Sequence, residues 1–458
     1  MAAASDDNPN ADSLETASAQ PLALIRSSAP ARGPPALPLD LVDIIVDFLR
    51  DDWRTLVTLL SVHPACASRA HAHISSPRGI TIVVPDVSSG DTASDMSDFL
   101  RIFHPGSTLA ESVTALTIRG DPRARRPMLR KTPALGCFLR LRSLTLDLVY
   151  VVHPELIPCM LSTLAALEEL HLTTVKYRRE GDNYEFEPPH AARLPPQFPP
   201  RLRVLRITEE QQQFLDVHMR HVADALCRTV PPPPLQSVAL HFLPLRQYGV
   251  RLGVWSAALV HVRGSLTQLE LTVPEPMGQI PAAGPLFAPN VSFADTLALL
   301  PALQHLSLHL QPPPPPPLAD RAYSAGSVLP TALLSDLARF CALPPACARA
   351  LETLTLTIPA PAHPTPSDRG TGEGEGADAL RAAALALSAP HAYPALGTVR
   401  VGVGVGVGGS GADGAVAVAT LVEEVLGAPL AARAVDVRFE PFEAGRWQEA
   451  VCAEEGRG

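Results

Sequence analysis

From residue 113 onward, ten short units follow the pattern Leu-x-x-Leu-x-Leu or a close apolar variant. They are VTALTI at 113–118, LRSLTL at 141–146, LEELHL at 167–172, LRVLRI at 202–207, LQSVAL at 235–240, LTQLEL at 266–271, LQHLSL at 303–308, LETLTL at 351–356, LGTVRV at 396–401 and ARAVDV at 432–437. Alternation of apolar and polar residues within each unit predicts a short strand with one buried face. Helical patterning fills several of the intervening stretches, at 218–229, 255–263, 293–300, 331–343, 378–388 and 415–426. The middle apolar residues lie between 26 residues apart (Leu144 to Leu170) and 48 apart (Leu306 to Leu354). One such strand-plus-helix unit cannot bury its own leucine face, so neighbouring units must cover it. The expected fold class is therefore α/β: a solenoid over residues 80–440 with a curved, mainly parallel sheet.

The apolar core of these units resembles the leucine-rich repeat family. That family carries Asn or Cys three positions after the last leucine. Here those positions hold Val149, Val175, Glu210, Leu243, Pro274, Gln311, Pro359 and Gly404. Without an asparagine ladder to satisfy loop carbonyls, irregular turns and uneven curvature are expected. Pro-rich, charged or Gly-rich stretches at 176–200, 311–328 and 359–377 are read as exposed insertions.

Ahead of the repeats lies LPLDLVDIIVDFLRDDWRTLVTLLSVHPACASRAHAHI, residues 37–74. Leu41, Ile44, Ile45, Phe48 and Leu49 fall at i, i+3, i+4, i+7 and i+8, one apolar stripe of a helix. Trp53, Leu56, Leu59, Leu60 and His63 repeat the spacing after a polar break where Asp51 or Asp52 can cap a second helix. Pro38 suits a first helical turn, and Asp40 and Asp43 suit the positive end of the helix dipole. Pro64 restarts the chain into a short third helix, 65–74. Three helices this small cannot hide all these aliphatic side chains among themselves, so some must face a partner.

This head, taken as 37–76, resembles the F-box, and specifically the irregular F-box of mushroom-type fungal proteins. Leu37 and Pro38 match the opening pair of the family. Leu41, Ile44, Ile45 and Leu49 match its first stripe, and Leu56, Leu59, Leu60 and Val62 its second. Arg69 and the His-Ile-Ser of 73–75 fit the fungal variant, while Cys66 stands where the family has Trp. The resemblance implies docking onto the linker protein of a cullin–RING (SCF-type) ubiquitin ligase through these residues. The chain would then be a non-catalytic substrate receptor whose repeats hold a target protein. The alternative is a repeat scaffold whose helical head only caps the solenoid.

Composition narrows the partners. There are 37 basic and 46 acidic residues, a net charge of −9, and 5% aromatics. Such a chain offers neither a basic field for phosphates nor many platforms for stacked bases, so nucleic acid is not expected. No run of about 18 apolar residues occurs, so no membrane span is expected. Seven cysteines without a CxxC pair, and an acidic N-terminus unlike a signal peptide, point to a cytoplasmic or nuclear protein with free thiols. Residues 1–36 and 441–458 are read as tails. Only Lys131 and Lys176 are lysines, which leaves few acceptors for self-ubiquitination.

Target recognition is expected on the sheet face opposite the leucines. One outward column runs through Thr145, His171, Arg206, Ala239, Glu270, Ser307 and Thr355. The next runs through Asp147, Thr173, Thr208, His241, Thr272, His309 and Thr357. His171, Arg206, His241, Glu270 and His309 are the candidate target contacts.

No cofactor or metal is expected. His63-x2-Cys66-x4-His71-x-His73 has ligand types without finger spacing. Cys341 and Cys347 are read as core thiols. Gly404-x-Gly406-x-x-Gly409 matches a dinucleotide fingerprint only inside a Val-Gly tract, and the following helix starts late for a pyrophosphate. Pro runs at 231–234 and 312–317 are read as spacers, and the sequon at Asn290 has no expected secretory route.

Overall fold

A computed structural model describes residues 38–76, 79–84, 99–121, 128–129, 135–151, 155–177, 197–209, 216–242, 248–274, 293–311, 338, 341–342, 350–359, 374–389, 391–405, 419–420, 422–433 and 435–443. Residues 1–36 and 444–458, Leu37, the Asn290 sequon, Cys347, the 312–317 proline run, most of the predicted helix 331–343 and the bulk of the three insertions lie outside these residues, whereas 441–443, read as the start of a tail, belong to the last strand of the sheet.

The chain is α/β. Its strands are β1 (Ile80–Val84), β2 (Ala115–Gly120), β3 (Met128–Leu129), β4 (Ser143–Asp147), β5 (Tyr150–Val151), β6 (Glu169–Thr173), β7 (Lys176–Tyr177), β8 (Val204–Glu209), β9 (Ser237–Phe242), β10 (Gln268–Pro274), β11 (His305–Gln311), β12 (Thr353–Pro359), β13 (Thr398–Val405) and β14 (Asp436–Glu443). Eleven of them form one sheet in the order β1-β2-β4-β6-β8-β9-β10-β11-β12-β13-β14, every neighbouring pair parallel. Each of the ten units read from the sequence supplies one strand. The eleventh, β1, precedes them and lacks their leading leucine. A second small parallel sheet, β3-β5-β7, was not expected.

In nearly every unit the leading apolar residue and the two apolar residues that follow it build the core; Ala432, which leads the last unit, is exposed. Leu141, Leu144 and Leu146 are fully buried, as are Leu202 and Leu205, Leu266, Leu269 and Leu271, and Leu306. Helices Asp216–Arg228, Tyr248–His261, Phe293–Ala298 and Gly374–Ser388 realise four of the predicted helical stretches. A π-helical turn, Glu423–Gly427, leads into the α-helix Ala428–Ala431 where 415–426 was expected to be regular.

Register is held by main-chain hydrogen bonds at the second position of each motif. The Thr114 carbonyl accepts from Arg142 N–H and Ser143 N–H, and the Arg142 carbonyl from Glu168 and Glu169. The Glu168 carbonyl in turn accepts from Arg203 and Val204, and the series continues through Arg203, Gln236, Thr267, Gln304 and Glu352. Backbone N–H groups carry the series, with the Thr267 hydroxyl adding a bond to the Gln236 carbonyl, so this position accommodates Thr, Arg, Glu or Gln.

The turns are irregular where the asparagine ladder is missing. After β4 and β6 the chain reverses through Leu148 (φ 55°) and Thr174 (φ 49°). Leu148 N–H donates to the Thr173 carbonyl and Thr174 N–H to the Thr208 carbonyl, so backbone replaces the side-chain ladder. Val149 and Val175, at the family's Asn position, are buried instead. These turns lead directly into β5 and β7.

Candidate functional site

The head consists of α1 (Leu39–Phe48), α2 (Trp53–Val62) and α3 (Pro64–Ile74). Pro38 sits one residue outside α1 rather than in its first turn, and its carbonyl accepts from Leu41 and Val42 N–H. Asp52, not Asp51, caps α2: its carboxylate accepts from Arg54 N–H, Thr55 N–H and the Thr55 hydroxyl. Those bonds hold the Asp52 carboxyl below its ordinary range against the opposing effect of burial. His63 Nδ1 accepts from Ala65 N–H and starts α3.

The head is joined to the sheet by an aromatic cluster. Trp53 meets Phe99 edge-on at 5.3 Å and Phe103 at 6.1 Å, and Phe99 stacks on Phe103 at 4.4 Å and on Phe138 at 5.5 Å. All four rings are buried, as are Leu56, Ala70 and Ile74 beside them. Leu59, Leu60, Val57 and Cys66 are half-buried against the same core.

α1 behaves differently. Its inward line is Val42, Val46 and Leu49, of which only Val46 is fully buried. The longer stripe read from the sequence points out: Leu41, Ile44 and Ile45 are 46%, 62% and 47% exposed, and Phe48 is 88% exposed. Leu39 is 56% exposed but lies on the other side of α1, in line with Val42 and Val46, and Val62 of α2 is 64% exposed. Of the docking residues named from the sequence, Pro38, Leu41, Ile44, Ile45 and Val62 are thus accessible. Leu56 is core, and Leu49, Leu59 and Leu60 lie between. Sequence reasoning left Phe48 out of the docking set, although its place in the stripe could have included it.

On the sheet face opposite the leucines, register aligns the two columns strand by strand. His171, Arg206, Ala239 and Glu270 are consecutive partners in one. Thr208, His241, Thr272, His309 and Thr357 are consecutive in the other. The five candidate target contacts therefore fall into one polar cluster. His309 Nε2 donates to Glu270 Oε1 at 3.2 Å, and His241 Nε2 lies 3.8 Å from the same oxygen. On their other sides His241 Nδ1 hydrogen-bonds Thr272 Oγ1 at 2.7 Å and His309 Nδ1 hydrogen-bonds Thr357 Oγ1 at 2.9 Å.

Burial holds His241 and His171 down to about 4, helped in both by the Arg206 charge, so both rings are neutral near pH 7. Burial pushes the Glu270 carboxyl up, but the His309 hydrogen bond and the Arg206 charge help to outweigh it and hold Glu270 below its ordinary range. Thr272, Ala239, His241 and Thr357 are buried, while the column ends at Arg119, Arg400 and Arg438 are exposed. The face is therefore deepest at its centre.

Among the described residues, no group of three or more His, Cys, Asp and Glu is placed to hold a metal ion. His63 and His73 of the sequence's ligand-type cluster are taken up by the α3 cap and by Asp47. Gly404 lies within β13, paired with Pro359 and Phe442, rather than in a turn after the strand; Gly406 and Gly409 lie outside the described residues. Cys341 is buried and its thiol is pushed up to about 12 by that burial. No described helix is long and apolar enough to cross a membrane. Neither a family model nor a curated protein matches the chain.

Proposed function

We propose that the chain is the substrate-receptor subunit of an SCF-type ubiquitin ligase, with the head as its F-box and the strand array as a leucine-rich-repeat solenoid. The observation that carries this is the outward face of α1: four large apolar side chains, Leu41, Ile44, Ile45 and Phe48, stand exposed on one side of a short helix. A contiguous apolar surface on a helix anchored from behind is suited to the groove of a protein partner. The polar face at the centre of the sheet then holds a target, raising the target's effective concentration near the ubiquitin-charged enzyme.

The test uses the full chain and the recombinant linker protein. Ile44→Asp and Phe48→Asp change exposed positions and leave the core intact. Each is expected to weaken complex formation by about 2 kcal/mol, roughly 30-fold, as for a central interface residue. Wild-type chain that does not co-purify with the linker protein would sink the proposal.

The Trp53–Phe99–Phe103–Phe138 cluster favours a second reading, a repeat scaffold capped by its head. In that case the two α1 variants leave every association of the chain unchanged, while removal of 38–76 bares the first strands and causes aggregation.

A further inference from the structure

The docking face sits on a helix with little to orient it. α1 lies along α3, and Val46 is its only fully buried side chain. So small an apolar attachment is also non-directional, and it does not fix how the helix is rotated. Across the same contact lies a directional device. Asp47 Oδ1 accepts from Arg69 Nε at 2.6 Å and Oδ2 from Arg69 Nη2 at 2.6 Å, while His73 Nε2 stands 2.7 Å from Oδ1. Both carboxylate oxygens are therefore tied to α3. The planar guanidinium fork defines distance, tilt and rotation together, which a lysine cannot do. Asp43, one turn earlier on α1, adds its charge to the attraction on Arg69.

We infer that Asp47 is a positioning residue: its bidentate pair with Arg69, completed by His73, sets the rotation of α1 on α3 and so presents Leu41, Ile44, Ile45 and Phe48 as one preformed docking face. This rests on the docking reading above. The pair is solvent-accessible, with side chains 43% and 39% exposed, and exposed ion pairs contribute little to global stability. Its effect is on the conformational freedom that α1 would otherwise lose on binding.

The full chain is compared with Asp47→Asn, with Arg69→Lys and with the charge-swapped Asp47→Arg/Arg69→Asp. Affinity for the recombinant linker protein is measured by calorimetry, together with thermal midpoint and hydrogen exchange at the amides of 41–49. The Asn and Lys variants should bind about tenfold more weakly at an unchanged midpoint, with faster exchange confined to α1, and the swap should recover most of the affinity. Variants that bind like wild type overturn the inference, as does a loss of affinity that tracks a fallen midpoint. If the wild type itself does not bind the linker protein, the docking reading fails on its own. Exchange still judges the clamp: faster exchange in α1 of Asp47→Asn supports it, and unchanged exchange overturns it.

Discussion

His171 and His241 lie on a sheet face that leaves them uncharged. Both stand at about 4 rather than 6.5 because burial penalises the imidazolium. In the unfolded chain they take a proton first as pH falls. Stability is then full above about 6.5 and declines toward pH 4, by about 1.4 kcal/mol per pH unit for each histidine within that window. Thermal midpoints measured between pH 7 and 4.5 should show this slope, and His241→Gln should reduce it. The Glu270 carboxyl, held low, loses its contribution in the same direction at still lower pH. Thr174 makes the opposite case. It is a β-branched residue at φ 49°, and its buried hydroxyl has no hydrogen-bond partner. Thr174→Gly removes both the left-handed strain and the orphaned oxygen, and should stabilise the protein by about 1 kcal/mol after the entropy cost of glycine. Urea denaturation would read it directly.

At the scale of elements, β1 depends on one glycine. Gly79 has φ +71°, and a Cβ there would lie 2.2 Å from the Ala115 carbonyl oxygen, a backbone atom that cannot step aside. Gly79→Ala should therefore break the start of the β1–β2 ladder and cost several kcal/mol, on the order of 3, seen as loss of exchange protection in β1. The ten later strands were legible because each lies in a spaced apolar motif, led by leucine in eight of the ten. β1 was not, because ITIVV has the alternation without that leucine. β3, β5 and β7 are two residues long and carry no period to detect; β5 and β7 follow directly on the turns at Leu148 and Thr174. The columns of the sheet face were legible from alternation and are now fixed by register. The Asp47–Arg69–His73 group was not, since its members are 22 and 26 residues apart and meet only when α1 lies on α3.

Over the whole molecule, the head and the array share one core at Trp53. Trp53→Ala removes the ring that covers Phe99 and Phe103, and should cost about 3–5 kcal/mol, measured by denaturant unfolding of the full chain. The α1 face lies on the other side of that junction, so a variant there and a variant at Trp53 are expected to separate binding from stability.

The strand order of the large sheet carries one more consequence, for synthesis. Each strand pairs with the strand one repeat earlier and waits for nothing further along. A chain leaving the ribosome can therefore lay down its sheet in the order in which it is translated, each new repeat finding its template already folded. The head emerges before β1 and supplies the surface on which the first strand settles. A ribosome stalled between two repeats would hold a shorter array, sealed at its older end and open only at the youngest strand.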